Sequence, residues 1–105
     1  MKIYKIFTTA EFDKDFQKLD RSLQIQIEKK IGQLETNLYV GKPLGYEFFR
    51  EKYAGSYRFY YFVYEEYVVV FVIALSDKKE QQKVIDKIKY LIPFYRDEIR
   101  KRLNL

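Results

Sequence analysis

Residues 51–82 of the chain read EKYAGSYRFYYFVYEEYVVVFVIALSDKKEQQ. Aromatic and β-branched residues dominate this segment, which favours strands over helices. A turn at Ala54–Gly55 and a second turn of two glutamates divide it into a strand at Ser56–Tyr64 and a continuous apolar run at Tyr67–Leu75. A run of this kind is typical of a central strand that is buried on both faces. With a preceding strand at Tyr46–Tyr53, the segment predicts a three-stranded antiparallel meander.

The residues before the meander predict one further strand and a helical hairpin. Met1–Phe7 alternates in the manner of a strand. Thr8 and Glu11 have the spacing of a capping box, which predicts that a first helix begins there. Asp20 is the predicted N-cap of a second helix, and Gly41 is the residue that ends it.

The residues after the meander predict a helical extension over 84–103. Ser76 and Asp77 are alternative N-caps for a third helix, and Pro93 breaks or kinks it before a short tail helix at Phe94–Leu103. The chain of 105 residues is therefore predicted to be a single α+β domain in the order β-α-α-β-β-β-α. In this arrangement helices cover one face of a mostly antiparallel, four-stranded sheet.

Composition excludes several classes of function. The chain has no His and no Cys, which excludes imidazole acid–base catalysis, thiol nucleophiles and the usual zinc and iron–sulfur ligand sets. We expect no cofactor and no metal. The N-terminal segment MKIYKIFTTAEF lacks the apolar run of a signal peptide, and the longest apolar run is too short to cross a bilayer. We therefore expect a cytoplasmic protein with no membrane partner, and abundant Lys, Glu, Ile and Tyr fit a thermophile as its source.

The charge pattern predicts a basic surface. The chain has 20 basic and 15 acidic residues, a net charge of +5, and most of the excess lies in the C-terminal third. Such a surface suits a polyanion or an acidic protein partner, and it is also what an ordinary solvated face looks like.

Five cations of this chain are candidates for an anion site. Arg58, near the start of its strand, faces the end of the strand that follows, where Lys78 and Lys79 begin the third helix. Free backbone N–H groups at a helix start favour an anion. Arg50 and Lys52 finish the preceding strand. All five are predicted to gather in one concave patch, which is what a phosphodiester needs as charge builds on its oxygens.

Each candidate also has an explanation that involves no ligand. Arg58 can pair with Glu47 or Glu51 across the strands. The remaining candidates suit sheet packing or a solvated first helical turn rather than contact with RNA bases: Tyr57 and Tyr60 in the sheet, Gln81 and Gln82 in the helix.

Residues 48–85, FFREKYAGSYRFYYFVYEEYVVVFVIALSDKKEQQKVI, resemble the RelE/ParE superfamily of toxin–antitoxin toxins. The shared order is a basic strand, a Gly turn, a Tyr-Arg strand, a short turn, a β-branched strand and a basic or polar tail. The ending is similar to that of the HigB-like branch, and the resemblance covers roughly residues 2 to 90. It implies a RelE-like fold and a ribosome-dependent endoribonuclease that cleaves mRNA and inhibits translation. The implied partners are an antitoxin, in a hetero-oligomer, and the ribosome with its mRNA.

The resemblance also implies roles for individual residues. Arg58 matches the arginine that family members use to stabilise the scissile phosphate. Arg50 and Lys52 match basic residues of the preceding strand, and Lys78 and Lys79 match the basic positions after the last strand. The catalytic set is then Arg58, Lys79 and Lys52, with RNA binding assigned to Arg50, Lys78, Tyr57 and Tyr60.

The general base is left open by the residues. Many active members of the family have a Tyr or His near the C-terminal strand, where this chain has Asp77, Lys78 and Lys79. Without histidine, the proton acceptor is Asp77, a tyrosine, or a lysine whose pKa is lowered by its surroundings, and of these we favour Lys52 or Lys79.

Two other functions fit the same resemblance. A ParE-like toxin inhibits gyrase by binding and needs no catalytic cations. A catalytically inactive relative would retain only RNA binding through its tyrosines and basic tail.

Overall fold

A computed structural model describes residues 2–105, so the predicted first strand is described except for Met1. The strands and helices have the following bounds: β1 Lys5–Thr8, α1 Ala10–Gln17, α2 Arg21–Gln33, β2 Lys42–Tyr46, β3 Phe49–Ala54, β4 Tyr57–Tyr64, β5 Val69–Asp77, α3 Gln81–Tyr90 and α4 Ile92–Arg102. The α+β class, the N-terminal helical hairpin and the meander β3-β4-β5 are confirmed.

The sheet has five strands in the order β1-β5-β4-β3-β2, so the predicted count of four is wrong. The additional strand is β2, which precedes the predicted strand Tyr46–Tyr53 and shares only Tyr46 with it. The chain turns at residues 47–48 before β3 begins, and Gly45, within β2, has a positive φ of 93°. β2 pairs antiparallel with β3 at one edge, and β1 pairs parallel with β5 at the other. β5 is thereby an interior strand, paired with β1 on one side and β4 on the other, as its continuous apolar run predicts.

Helices cover both faces of the sheet, and the prediction that they cover one is wrong. On one face α1 and α2 enclose a core that includes Phe12, Ile27, Phe59 and Val72. On the other, the C-terminal extension packs against a second core, which includes Phe62, Phe71, Ile88, Tyr95 and Ile99. Without the extension, the aromatic side chains on this face of the sheet would be exposed to water. The apolar residues of the extension cover them and form part of the core. We call these the α1/α2 face and the α3/α4 face.

The helix ends follow local chemistry. Asp20 is the N-cap of α2, as predicted, and its Oδ1 accepts a 2.9 Å hydrogen bond from the backbone N–H of Leu23. The predicted cap at Thr8 is wrong by one residue. Thr9 caps α1 by accepting from the N–H of Phe12, and its hydroxyl donates to the carbonyl of Ile73 at 2.6 Å. That second bond ties the start of α1 to β5, which local spacing does not reveal.

The C-terminal extension consists of α3 and α4, which meet at Leu91. Pro93 lies in the first turn of α4, where its missing N–H has no helical partner to lose. The predicted break is confirmed, although the last helix begins at Ile92 rather than Phe94. None of the helices formed by residues 2–105 combines the length and apolar character needed to cross a membrane.

Candidate functional site

A group of polar residues lies on the α3/α4 face, at the end of the sheet where β5 leads into α3. Side chains alternate between the faces of a sheet, and residues paired across strands share a face. The register pairs Glu51 with Tyr60, Tyr53 with Arg58, and Arg58 with Ser76. The first residue of α3, Gln81, reaches the same group. We call these six residues the Arg58 cluster.

A β-bulge gives the cluster its serine. β4 and β5 pair Tyr61 with Val72 but Tyr60 with Ala74, which leaves Ile73 as the extra residue. The bulge reverses which residues of β5 face α3 and α4. Leu75 therefore packs in the α1/α2 core, and Ser76 faces Tyr60, whose hydroxyl lies 2.7 Å from Ser76 Oγ.

Arg58 is buried and has unused hydrogen-bond donors. It is 7% exposed, and within residues 2–105 neither its Nε nor its Nη1 has a hydrogen-bond partner. The guanidinium lies 4.6 Å from the centroid of the Tyr53 ring, and Tyr53 itself is 53% exposed. The cation–π contact offsets part of the desolvation of Arg58 but satisfies neither N–H. An unpartnered buried guanidinium is a ready site for an anion.

Glu51 is the second buried charge of the cluster and is 2% exposed. Both of its carboxylate oxygens accept from Nε2 of Gln81, at 3.2 and 3.0 Å. The alternative in which Arg58 pairs with Glu47 or Glu51 is not observed, since no ion pair formed by residues 2–105 includes Arg58. Gln81 is thus a half-buried partner of a carboxylate and not the fully solvated residue that its place in a first helical turn suggests.

The pKa of Tyr60 is influenced by both buried charges, Glu51 and Arg58. Burial raises the pKa of its hydroxyl to about 12, and the negative charge of Glu51 adds to the rise. The hydrogen bond with Ser76 and the positive charge of Arg58 act in the opposite direction. At neutral pH the hydroxyl is therefore protonated, and Glu51 and Arg58 both lie near enough to influence it.

Arg50 lies on the α1/α2 face, opposite the Arg58 cluster. Its three nitrogens donate to the carbonyls of Gly41, Glu47 and Tyr39 at 2.9, 3.0 and 3.1 Å, and Nη1 also lies 3.4 Å from the Glu47 carboxylate. These bonds hold the loop between α2 and β2 against β3. Every nitrogen of this guanidinium already has a protein partner, which is the arrangement of a structural arginine.

Lys52 and Tyr57 also lie on the α1/α2 face. Lys52 pairs with Phe59 of the α1/α2 core, and Tyr57 lines a cavity with Lys18 and Leu75. The prediction that five cations gather in one hollow is therefore wrong. Arg58 pairs with Tyr53 and shares the face of the odd positions of β3, whereas Arg50 and Lys52 are even positions and point to the opposite face.

Lys78 and Lys79 are exposed in the turn between β5 and α3. Ser76, the partner of Arg58, lies two residues before this turn, so the two lysines are at the same end of the sheet as the Arg58 cluster. Of the predicted site residues, Arg58, Tyr60, Lys78 and Lys79 are thus brought to one region. Asp77 accepts a 3.0 Å hydrogen bond from the N–H of Glu80 in the same turn.

The sequence suggested Glu51 only as an ion-pair partner of Arg58 and Gln81 only as a solvated residue, and it did not place Ser76 in the cluster. For Glu51 a signal was present, since a two-residue turn at Ala54–Gly55, as predicted, or at Gly55–Ser56, as observed, puts Glu51 on the same face as Arg58. Ser76 required the bulge and Gln81 required the position of α3, and neither has a local signature. Among residues 2–105, no group of three or more acidic side chains is placed to hold a metal ion.

Comparisons with known proteins give matches among solved structures only. No protein-family model matches the chain, and no curated protein does. A free-state mutant of the E. coli toxin RelE is 24% identical, with a TM-score of 0.70 over 81% of this chain and 92% of that one. A chain of the intact E. coli RelBE toxin–antitoxin complex is 28% identical, with a TM-score of 0.63 over 70% and 95%.

A chain of the Mycobacterium tuberculosis RelBE2 toxin–antitoxin complex is 26% identical, with a TM-score of 0.64 over 74% of this chain and 94% of that one. These matches cover nearly the whole length of each relative, and they agree with the resemblance that the Tyr-Arg strand and its neighbours carry. The fold of this chain is that of the RelE-like toxin superfamily, and the two RelBE chains that are 26% and 28% identical support its place in that superfamily.

Proposed function

We propose that this chain is the toxin of a type II toxin–antitoxin system and that it is a ribosome-dependent endoribonuclease that cleaves mRNA. The structural relatives include RelE toxins and complexes of RelB with RelE, which supports the toxin assignment and an antitoxin as partner. The observation that carries the enzymatic part is Arg58, a buried guanidinium with two unpartnered nitrogens. Burying a charge without hydrogen-bond partners lowers the stability of the fold. Features that lower stability in this way are concentrated at functional sites.

In the proposed reaction the 2′-oxygen of a nucleotide attacks the neighbouring phosphorus and the bond to the 5′-oxygen breaks. The products are a 2′,3′-cyclic phosphate and a 5′-hydroxyl. Arg58 stabilises the charge that builds on the non-bridging oxygens, which is the step that preorganised donors accelerate most. Part of the acceleration comes from holding the attacking oxygen in line, a task in which the ribosome takes part.

Glu51 is the group that we assign as proton acceptor for the 2′-hydroxyl. Lys52, favoured from the sequence, lies on the opposite face of the sheet from Arg58. Glu51 is the carboxylate that shares the face of Arg58, and Gln81 holds both of its oxygens. Lys79, exposed at the same end of the sheet, supplies a proton to the departing 5′-oxygen, and Lys78 adds positive charge for the RNA backbone.

Access to Arg58 requires Tyr53 to move. Its ring covers the guanidinium at 4.6 Å and is itself more than half exposed, so a change of side-chain rotamer is enough to open the site. Once displaced, the ring is free to stack on a base of the bound RNA, as aromatic side chains do in single-strand binding sites.

The test compares the wild-type chain with Arg58→Met in a translation extract that contains a reporter mRNA. We expect cleavage in phase with codons for the wild type and about a hundredfold less for Arg58→Met. Arg21→Met, which removes an exposed arginine of α2, is the matched control and should cleave normally. Equal cleavage by all three proteins would exclude Arg58 from the reaction.

A second function, inhibition of gyrase in the manner of ParE, is favoured by one observation. Two of the basic residues expected at a nuclease site, Arg50 and Lys52, face away from Arg58. In the same experiment this function predicts intact mRNA together with inhibited DNA supercoiling by purified gyrase.

A further inference from the structure

The Arg58 cluster contains two buried opposite charges that do not pair. Glu51 and Arg58 are 2% and 7% exposed. The register makes them diagonal neighbours on one sheet face, since Glu51 pairs with Tyr60 and Arg58 with Tyr53. Diagonal neighbours are roughly 7–8 Å apart, with their Cβ atoms somewhat closer, a separation that long side chains span. Nothing in the backbone prevents an ion pair, yet none is formed.

An ion pair here would relieve two energetic costs at once. The carboxylate would gain a cation, and the guanidinium would gain partners for Nε and Nη1, which have none. Attraction between opposite charges is strong where water is excluded. A specific contact must therefore hold Glu51 away from Arg58.

Gln81 makes that contact. Its Nε2 donates to both carboxylate oxygens of Glu51. Because Gln81 is the first residue of α3, and α3 is anchored to the sheet through Ile85 and Ile88, the amide is held by a rigid element. A neutral amide satisfies the carboxylate without competing for an anion, which a lysine or arginine at this position would do.

We propose that Gln81 is a positioning residue that keeps Glu51 from pairing with Arg58 and so keeps the guanidinium open for a phosphate group. The inference rests on the proposed function for its purpose. Its physical content, an anion site that Gln81 holds open, is a property of the free protein and is tested without RNA cleavage.

The test follows the Nε–H signal of Arg58 by ¹H–¹⁵N NMR during titration with inorganic phosphate, with the signal assigned by its loss in Arg58→Lys. In the wild type we expect phosphate to shift this signal. In Gln81→Leu we expect the signal to move downfield before phosphate is added, because Glu51 now pairs with Arg58, and the affinity for phosphate to fall by about tenfold or more. The double variant Gln81→Leu/Glu51→Gln removes the competing charge and should recover the response.

Two controls accompany these variants. Gln82→Leu changes the adjacent residue, whose amide donates to Asp86 on the exposed side of α3, and should behave as the wild type does. The Nε–H of Arg50, bonded to the Gly41 carbonyl on the other face, should not move in any variant, which shows that the fold is intact.

Three results would overturn the inference: no phosphate response in the wild type, an unchanged Arg58 signal in Gln81→Leu, or no recovery in the double variant. Failure of the proposed function looks different. If the wild type cleaves no mRNA but the NMR series behaves as expected, the anion site and its positioning by Gln81 stand while the nuclease assignment falls.

Discussion

Arg50 and Arg58 are each 7% exposed and lie on adjacent strands, yet they are opposites in what surrounds them. Arg50, on the α1/α2 face, donates to three backbone carbonyls. Arg58, on the α3/α4 face, has two nitrogens without a partner. Burial alone therefore does not separate a structural arginine from a functional one. The hydrogen bonds of the guanidinium do separate them, because an arginine that stabilises the fold donates its N–H groups to other groups of the fold.

The largest expected effect is on stability, at Arg50. In Arg50→Met the carbonyls of Gly41, Glu47 and Tyr39 lose their donor, and we expect the free energy of unfolding to fall by about 3 kcal/mol. Arg58→Met removes no hydrogen bond, so its free energy of unfolding should stay within about 1 kcal/mol of the wild-type value. Urea denaturation of both variants measures the contrast. Equal losses would show that the two arginines do not differ in the way their contacts indicate.

The next effect is on activity. Here the larger loss is expected on the α3/α4 face, whereas the larger loss of stability is expected on the α1/α2 face. Arg58→Met should lose about a hundredfold in mRNA cleavage, equivalent to roughly 2.7 kcal/mol of transition-state stabilisation. Circular dichroism of the same preparation should show a folded protein. A fully active Arg58→Met would leave the unpartnered guanidinium without a functional explanation.

A smaller effect is expected at Thr9, which ties α1 to the sheet. Thr9→Val removes both the N-cap bond to Phe12 and the bond to the Ile73 carbonyl, and we expect a loss of about 1–2 kcal/mol in the free energy of unfolding. Thr8→Val is the matched control, since the Thr8 hydroxyl contacts only the exposed Asp13. A comparable loss in both variants would mean that the cap had been assigned to the wrong threonine.

The smallest effect at neutral pH concerns the tyrosines of the α3/α4 face. Burial raises the pKa of Tyr60 and of Tyr95 to about 12. A raised pKa means that the protonated form is favoured in the folded state. The resulting stability is fully present below the ordinary pKa of about 10 and is lost as the pH rises toward 12.

Tyr60→Phe should therefore lose less stability between pH 10 and pH 12 than the wild type does. Thermal unfolding followed by circular dichroism across this range, with tyrosinate absorbance recorded in parallel, gives the measurement. On the other face Tyr61 also has a raised pKa through burial, but the N–H of Gly41 and the charge of Arg50 lower it in part, so Tyr61→Phe should change the pH dependence less. An identical pH dependence in the wild type and Tyr60→Phe would contradict the proposed environment of Tyr60.

Much of the fold was predictable because its signals are local. The helical hairpin has a side-chain cap at Asp20, the interior position of β5 follows from a continuous apolar run, and the break before α4 follows from Pro93. The fifth strand was missed because Lys42–Tyr46 is short, contains Gly and Pro, and pairs on one side only. The second helical layer was missed because a helix's apolar stripe does not say which surface it meets.

The candidate site was predicted only in part. Alternation along β3 and the turn at Gly55 together place Glu51, rather than Lys52, on the face of Arg58, and this inference was within reach of the sequence. The bulge at Ile73 was not, since nothing in a β-branched run marks where an extra residue enters the ladder. It is the bulge that exchanges Leu75 for Ser76 beside Tyr60.

By itself, the amino-acid sequence determined the strand meander, the helical hairpin, the absence of thiol and imidazole chemistry, and the Tyr-Arg resemblance to the RelE-like toxins. These depend on residue type and on spacings of a few residues, which a chain carries whether folded or not. Only the tertiary structure decided which arginine has its donors occupied and which carboxylate Gln81 holds. Those outcomes depend on groups from distant strands and helices meeting in a space without water, where each unpartnered N–H or charge changes the free energy of the folded state.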